Sequence, residues 1–106
     1  MSRGVVNTDT TFRMSRRALW GLHAGAKAAS MSPGQYFRGR AYRLANADGP
    51  RFDLSGEYLA RTFHVGLNED VYAALISVAD QLDVPRETIG ELIASYIEGA
   101  ECHAGN

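Results

Sequence analysis

Thr62-Phe63-His64-Val65-Gly66-Leu67-Asn68-Glu69-Asp70 decides the fold, because its apolar pattern, with that of the residues after it, already occurs 53 positions earlier. Without a gap, Phe12 falls on Val65, Met14 on Leu67, Ala18 on Val71, Leu19 on Tyr72, Leu22 on Leu75, Ala26 on Ala79, Met31 on Val84, Tyr36 on Ile89, Ala41 on Ala94 and Leu44 on Ile97. Few letters are kept, but apolar character is. Two copies of one folding unit look like this after divergence, and missing such a repeat misreads the whole fold.

In the second copy Phe63, Val65 and Leu67 alternate with Thr62, His64 and Gly66, the period of a strand with one buried face. Asn68 then caps a helix whose first turn holds Glu69 and Asp70, carboxylates suited to the positive end of the dipole. Val71, Leu75, Val78, Ala79 and Leu82 are its apolar stripe. Asp83-Val84-Pro85 breaks the pattern, and Pro85 suits the start of a second helix, lined by Ile89, Leu92, Ile93, Tyr96 and Ile97 and fading at Gly99.

The first copy reads in the same order. Phe12 and Met14 alternate with Thr11 and Arg13, Ser15 is a cap, and Ala18, Leu19, Leu22, Ala26 and Ala29 form a stripe interrupted by Gly21 and Gly25, each costing about 1 kcal/mol in a helix. Ser32-Pro33-Gly34-Gln35 is a capping-box start for a helix containing Tyr36, Phe37, Ala41 and Leu44. The predicted organisation is a first copy over 9–45, a linker over 46–59, a second copy over 60–100 and a tail over 101–106. Asn46-Ala47-Asp48-Gly49-Pro50 has turn composition. The apolar Phe52, Leu54, Tyr58 and Leu59 place the linker against the body, and a short helix can start at Ser55.

A chain of 106 residues is one domain's worth, or two units too small to stand alone that share a core. No run of about 18 apolar residues exists to span a membrane, and Met1 to Asp9 lacks the apolar core of a signal peptide, so a cytoplasmic location is expected. Cys102 is the only cysteine, which excludes an internal disulfide.

The net charge of -1 conceals a division. Up to Asp53 nine basic residues face three acidic ones, a net of +6, and from Leu54 onward two basic residues face nine acidic ones, a net of -7. One half therefore suits a polyanion and the other does not.

Strand, helix, turn and helix in about 40 residues, with an unsatisfied strand edge, resembles the ribbon-helix-helix (Arc/MetJ/CopG-like) family of DNA-binding proteins. Phe63 to Asp70 is similar to the family's strand and first-helix start, Leu82-Asp83-Val84-Pro85-Arg86-Glu87-Thr88-Ile89 to its inter-helix turn, and Met31-Ser32-Pro33-Gly34-Gln35-Tyr36-Phe37-Arg38 to the turn of the first copy. The resemblance implies a mainly α fold with two short strands paired as an antiparallel ribbon that enters the DNA major groove. Family members usually supply the strands from two chains. A tandem chain can supply both, since the linker from Leu44 to Thr62 spans up to about 55 to 60 Å when extended. The tandem form looks like relaxosome accessory proteins of the TraY type, on architecture alone.

With Phe12/Met14 and Phe63/Val65/Leu67 inward, the other face of the ribbon shows Asp9, Thr11 and Arg13 from one strand and Thr62, His64 and Gly66 from the other. Arg13 is the natural guanine reader, and Thr11, Thr62 and His64 are weaker base contacts, unless the face is merely solvated. Arg16 and Arg17 occupy a first helical turn, where the dipole disfavours cations. That placement suits a phosphate, the alternative being a solvated pair. Ser32-Pro33-Gly34 leaves backbone N–H groups at a positive helix end, and Gly34 has no side chain to block an anion, so Ser32 and Gly34 complete the expected phosphate contacts. The matching Pro85-Arg86-Glu87 carries a carboxylate there.

No catalytic constellation, metal-ligand spacing or phosphate loop organises His23, His64 and His103, so neither an enzyme nor a cofactor is expected. Trp20 is off its helix's main stripe and either covers the linker or marks a contact. The expected partner is double-stranded DNA, bound by a small transcriptional regulator such as a phage or plasmid repressor, or by a DNA-organising accessory factor. The other reading is a protein-interaction module, an antitoxin or phage-encoded inhibitor, whose acidic helices grip a partner or a second copy. The overall negative charge favours that reading, and the position of the arginines favours DNA.

Overall fold

The computed structural model describes residues 7–54 and 56–97. It is mainly helical with one two-stranded antiparallel sheet. β1 (Asn7–Met14) leads through Ser15 into α1 (Arg16–Ala28) and α2 (Pro33–Ala45), and after the linker β2 (Arg61–Asn68) leads into α3 (Glu69–Gln81), a 3-10 turn (Arg86–Thr88) and α4 (Ile89–Ser95). The strands pair in one unbroken register from Asn7 opposite Asn68 to Met14 opposite Arg61.

The repeat is visible in the backbone. α1 and α3 begin 53 residues apart and end 53 residues apart. Both stop in the same way: Ser30 and Asp83 each adopt a left-handed φ of 59°, Met31 N–H and Val84 N–H donate to the carbonyls of Ala26 and Ala79, and Ser30 and Asp83 donate to Lys27 and Asp80. That is the Schellman pattern, built twice on residues other than the usual glycine.

One core draws on both copies. Phe12, Met14, Val65 and Leu67 point inward from the ribbon onto Leu22 of α1, Phe37, Ala41 and Leu44 of α2, Leu75 and Ala79 of α3 and Ile89, Leu92 and Ile93 of α4. Phe37 sits against both strands, its ring 5.2 Å from that of Phe12 and 5.0 Å from that of Phe63. Phe63, expected to be buried, is only half-buried. The second helix of each copy packs on the strand of the other, α2 on β2 and α4 on β1. Gly90 permits the closest of these approaches: a Cβ there would lie 2.7 Å from Phe12 Cβ and 2.8 Å from the Arg13 carbonyl oxygen. Gly25 likewise makes room for the Tyr36 hydroxyl between α1 and α2.

The second copy departs from expectation after α3. Pro85 offers no side-chain cap, so the chain turns once as a 3-10 helix before α4 forms, and α4 ends at Ser95. Tyr96, expected in the helix, is extended and forms a β-bridge with Phe52 of the linker. Asp53 N–H donates to the Ser95 carbonyl and Ile97 N–H to that of Arg51. The linker thus lies on the body as expected through Phe52, although Leu54 and Tyr58 are exposed. Residues 56–60 are not helical. Ser55, Gly99 and the tail with Cys102 and His103 lie outside the described residues.

Candidate nucleic-acid interface

The ribbon's alternation carries Asp9, Thr11 and Arg13 of β1 and Thr62 and His64 of β2 to the face opposite the core, all exposed, with Gly66 beside them. Thr11 and His64 face each other and are hydrogen-bonded, Oγ1 to Nδ1, at 2.7 Å. Thr8 Oγ1 donates to Glu69 at 3.4 Å. Arg13 stands opposite Thr62, but its guanidinium is engaged: Nε and Nη2 donate to the Leu59 carbonyl at 3.2 and 2.9 Å. The linker therefore holds one edge of the guanidinium, Nε with Nη2, that could otherwise read a guanine.

At one end of the ribbon lies the start of α2. Ser32 and Gln35 form the full capping box, Gln35 N–H donating to Ser32 Oγ at 3.2 Å and Ser32 N–H to Gln35 Oε1 at 3.3 Å. Pro33 has no N–H, and Tyr36 N–H returns to the Ser32 carbonyl. Ser32 is thus occupied by its own helix, and the Gly34 N–H is the one left for an anion at this positive end. Gly34, Arg38, Thr11, His64 and Asp9 line a single groove along the ribbon edge. Arg38 was not among the expected contacts. Its position one helical turn beyond Gly34, on the same face, was the available clue.

The opposite end is different. Glu57, Tyr58 and Leu59 of the linker and Glu87 of the 3-10 turn surround Arg13 there, so a carboxylate, Glu87, stands where the first copy has Gly34, with a second from the linker beside it. Arg16 and Arg17 are exposed on α1, Arg17 within 3.6 Å of Asp53 in an ion pair whose side chains are 62% and 71% exposed; such a pair contributes little. Arg16 faces a second groove with Trp20, Lys27 and Arg61.

Two charged residues are structural. Glu91 on α4 is only 5% exposed. It accepts the Ser15 N–H at 2.7 Å and the Ser15 hydroxyl at 2.8 Å, while that hydroxyl accepts from Ala18 N–H and caps α1. Burial of the carboxylate is tolerated because both oxygens are bonded at a helix N-terminus. Arg40 donates to the carbonyls of Ile93, Ala94 and Tyr96 and so closes the C-terminal end of α4, with its guanidinium 5.8 Å from the Tyr36 ring and 6.0 Å from the Tyr96 ring. Among the described residues no group of three or more His, Cys, Asp or Glu side chains converges on a metal-sized site, and no helix is long and apolar enough to cross a membrane.

Compared with protein-family models, with curated proteins and with solved structures, the chain gives no match.

Proposed function

We propose that the chain is a tandem ribbon-helix-helix protein, a pseudo-dimer within one polypeptide, that binds double-stranded DNA with the outward face of its ribbon in the major groove, as a small transcriptional regulator or DNA-organising accessory factor. The observation that supports this best is the groove in which Thr11 and His64 of the ribbon, the start of α2 at Gly34 and the Arg38 side chain lie side by side. A two-stranded ribbon fits the major groove, polar side chains on its outer face reach base edges, and a helix start with an adjacent arginine holds a backbone phosphate. In this reading His64, Thr11 and Thr62 contact bases from the start, and Arg13 joins them after exchanging the Leu59 carbonyl for a base. Gly34 and Arg38 hold phosphates at the α2 start, and Ser32 acts by ordering the α2 turn.

The α4 side contributes little to the backbone clamp, because Glu57 and Glu87 repel a phosphate. Selection of bound fragments from random duplex DNA at about 150 mM salt tests the proposal, since non-specific binding is weak there. A consensus is the expected result. Failure to retain any duplex at low salt would favour the second reading, a protein-interaction module, to which the acidic α3 surface and the engaged Arg13 lend support.

A further inference from the structure

α1 carries a groove that the ribbon does not use. Trp20, the only tryptophan of the chain, is 76% exposed and lines this groove with Arg16, Leu19, His23, Lys27 and Arg61. Arg16, Trp20 and Lys27 are four and seven residues apart and share one helix face, spread over about 17 Å of axis. No acidic residue lines the groove, Glu57 lying on the other side of Arg16 and Trp20, and Arg16, Lys27 and Arg61 have no ion-pair partner among the described residues. Arg61 is the cross-strand neighbour of Met14, so the groove begins where the ribbon stops.

We propose that this groove binds unpaired, single-stranded DNA adjoining the duplex held by the ribbon, with a base stacked on Trp20 and phosphates on Arg61, Arg16 and Lys27. The placement beside a duplex rests on the DNA-binding reading above, while the groove's own chemistry does not. A flat indole with cations on both sides supplies the two things an unpaired nucleotide needs, a π face and separated positive charges. An acidic amphipathic helix would meet the charges but needs a broad apolar floor. Leu19 is already half-buried against the core, which leaves the one ring as the main exposed apolar surface, enough for a base and too small for a helical stripe.

Trp20 emission reports on the site directly. The full-length protein is titrated at low salt with oligodeoxythymidine about ten nucleotides long, with a blunt duplex and with poly-glutamate. The single strand is expected to quench Trp20, with a log–log salt slope near 2 for three phosphates. Read by anisotropy of a labelled strand, Trp20→Ala should weaken single-strand binding about five- to 150-fold and leave blunt-duplex binding unchanged. Lys27→Ala and Arg61→Ala should each lower the slope by about 0.7. Absence of quenching at low salt overturns the proposal, as does poly-glutamate that changes the emission equally and displaces the strand, which would mark a protein-docking groove. Quenching by the single strand without any duplex binding would remove the ribbon reading and keep this site. Duplex binding without quenching would do the reverse.

Discussion

Thr11 Oγ1 lies 2.7 Å from His64 Nδ1, and these residues are each other's counterparts in the 53-residue repeat. The register maps onto itself about this pair: Phe12 meets Phe63 on one side, and their counterparts Val65 and Thr10 meet on the other. An unlike pair thus sits on the axis about which the register is symmetric. Thr11→Val and His64→Ala should each change base preference at the middle of a bound site by about 1 to 3 kcal/mol, with the salt dependence intact. Competition among duplexes substituted position by position checks this. A change confined to the flanks would move the ribbon's centre off the base edges.

Glu91 joins α4 to the start of α1 through both carboxylate oxygens. Glu91→Ala should cost about 2 to 3 kcal/mol in urea unfolding, because the buried Ser15 N–H loses its acceptor. Glu91→Gln keeps one acceptor and should cost less. A loss below about 0.5 kcal/mol for the alanine variant, within the range of ordinary surface substitutions, would show that water replaces the carboxylate.

Helical glycines should respond in opposite directions. Gly21 has open space around its Cβ position, so Gly21→Ala should stabilise by about 1 kcal/mol. Gly90→Ala should destabilise by about 1 to 3 kcal/mol, since the methyl would meet Phe12 and the β1 backbone. At the helix ends, Ser30→Gly and Asp83→Gly relieve a left-handed conformation worth about 1 kcal/mol each. Thermal melting of the four variants tests these signs together.

Gly34→Glu places a carboxylate at the α2 start. A Cβ at this position would meet Arg38 Nη1 at 3.7 Å and Val65 Cγ2 at 3.9 Å, ordinary contacts, so the backbone has room for a side chain and the fold should hold. DNA binding should weaken by at least about 1 kcal/mol through the reversed charge at the dipole. Glu87→Gly, at the matching turn, should leave binding unchanged or improve it. Parent-like affinity of folded Gly34→Glu at low salt would remove this helix end from the interface.

Periodicity made the strands and first helices legible, because each has its polar cap and its apolar stripe in the chain itself: Ser15 before α1, Asn68 before α3 and Ser32 with Gln35 at α2. The second helix of the second copy was read too long. Its end is set by Arg40, which reaches the α4 carbonyls from a distant part of the chain, and by Phe52, which bridges Tyr96. The role of Glu91 is hidden in the sequence for the same reason. A glutamate among helical residues looks solvated until the packing of α4 on β1 brings it to Ser15. The polar face of the ribbon followed from alternation by two, but the hold of Leu59 on Arg13 depends on where an irregular linker runs. Arg38 was missed because three arginines in one helix cannot be ranked without knowing which face meets the ribbon.

The clasp between Arg51–Asp53 and Ser95–Ile97 has a consequence for chain topology. It fastens the first half of the connection to α4, and Arg13 holds Leu59 at the other side, so a cut between residues 56 and 58 would sever a covalent link that the packed halves do not need. The two fragments should stay associated through the common core and the ribbon. Expressed as separate polypeptides, they should act as a split pair whose reassembly reports when both halves are present together.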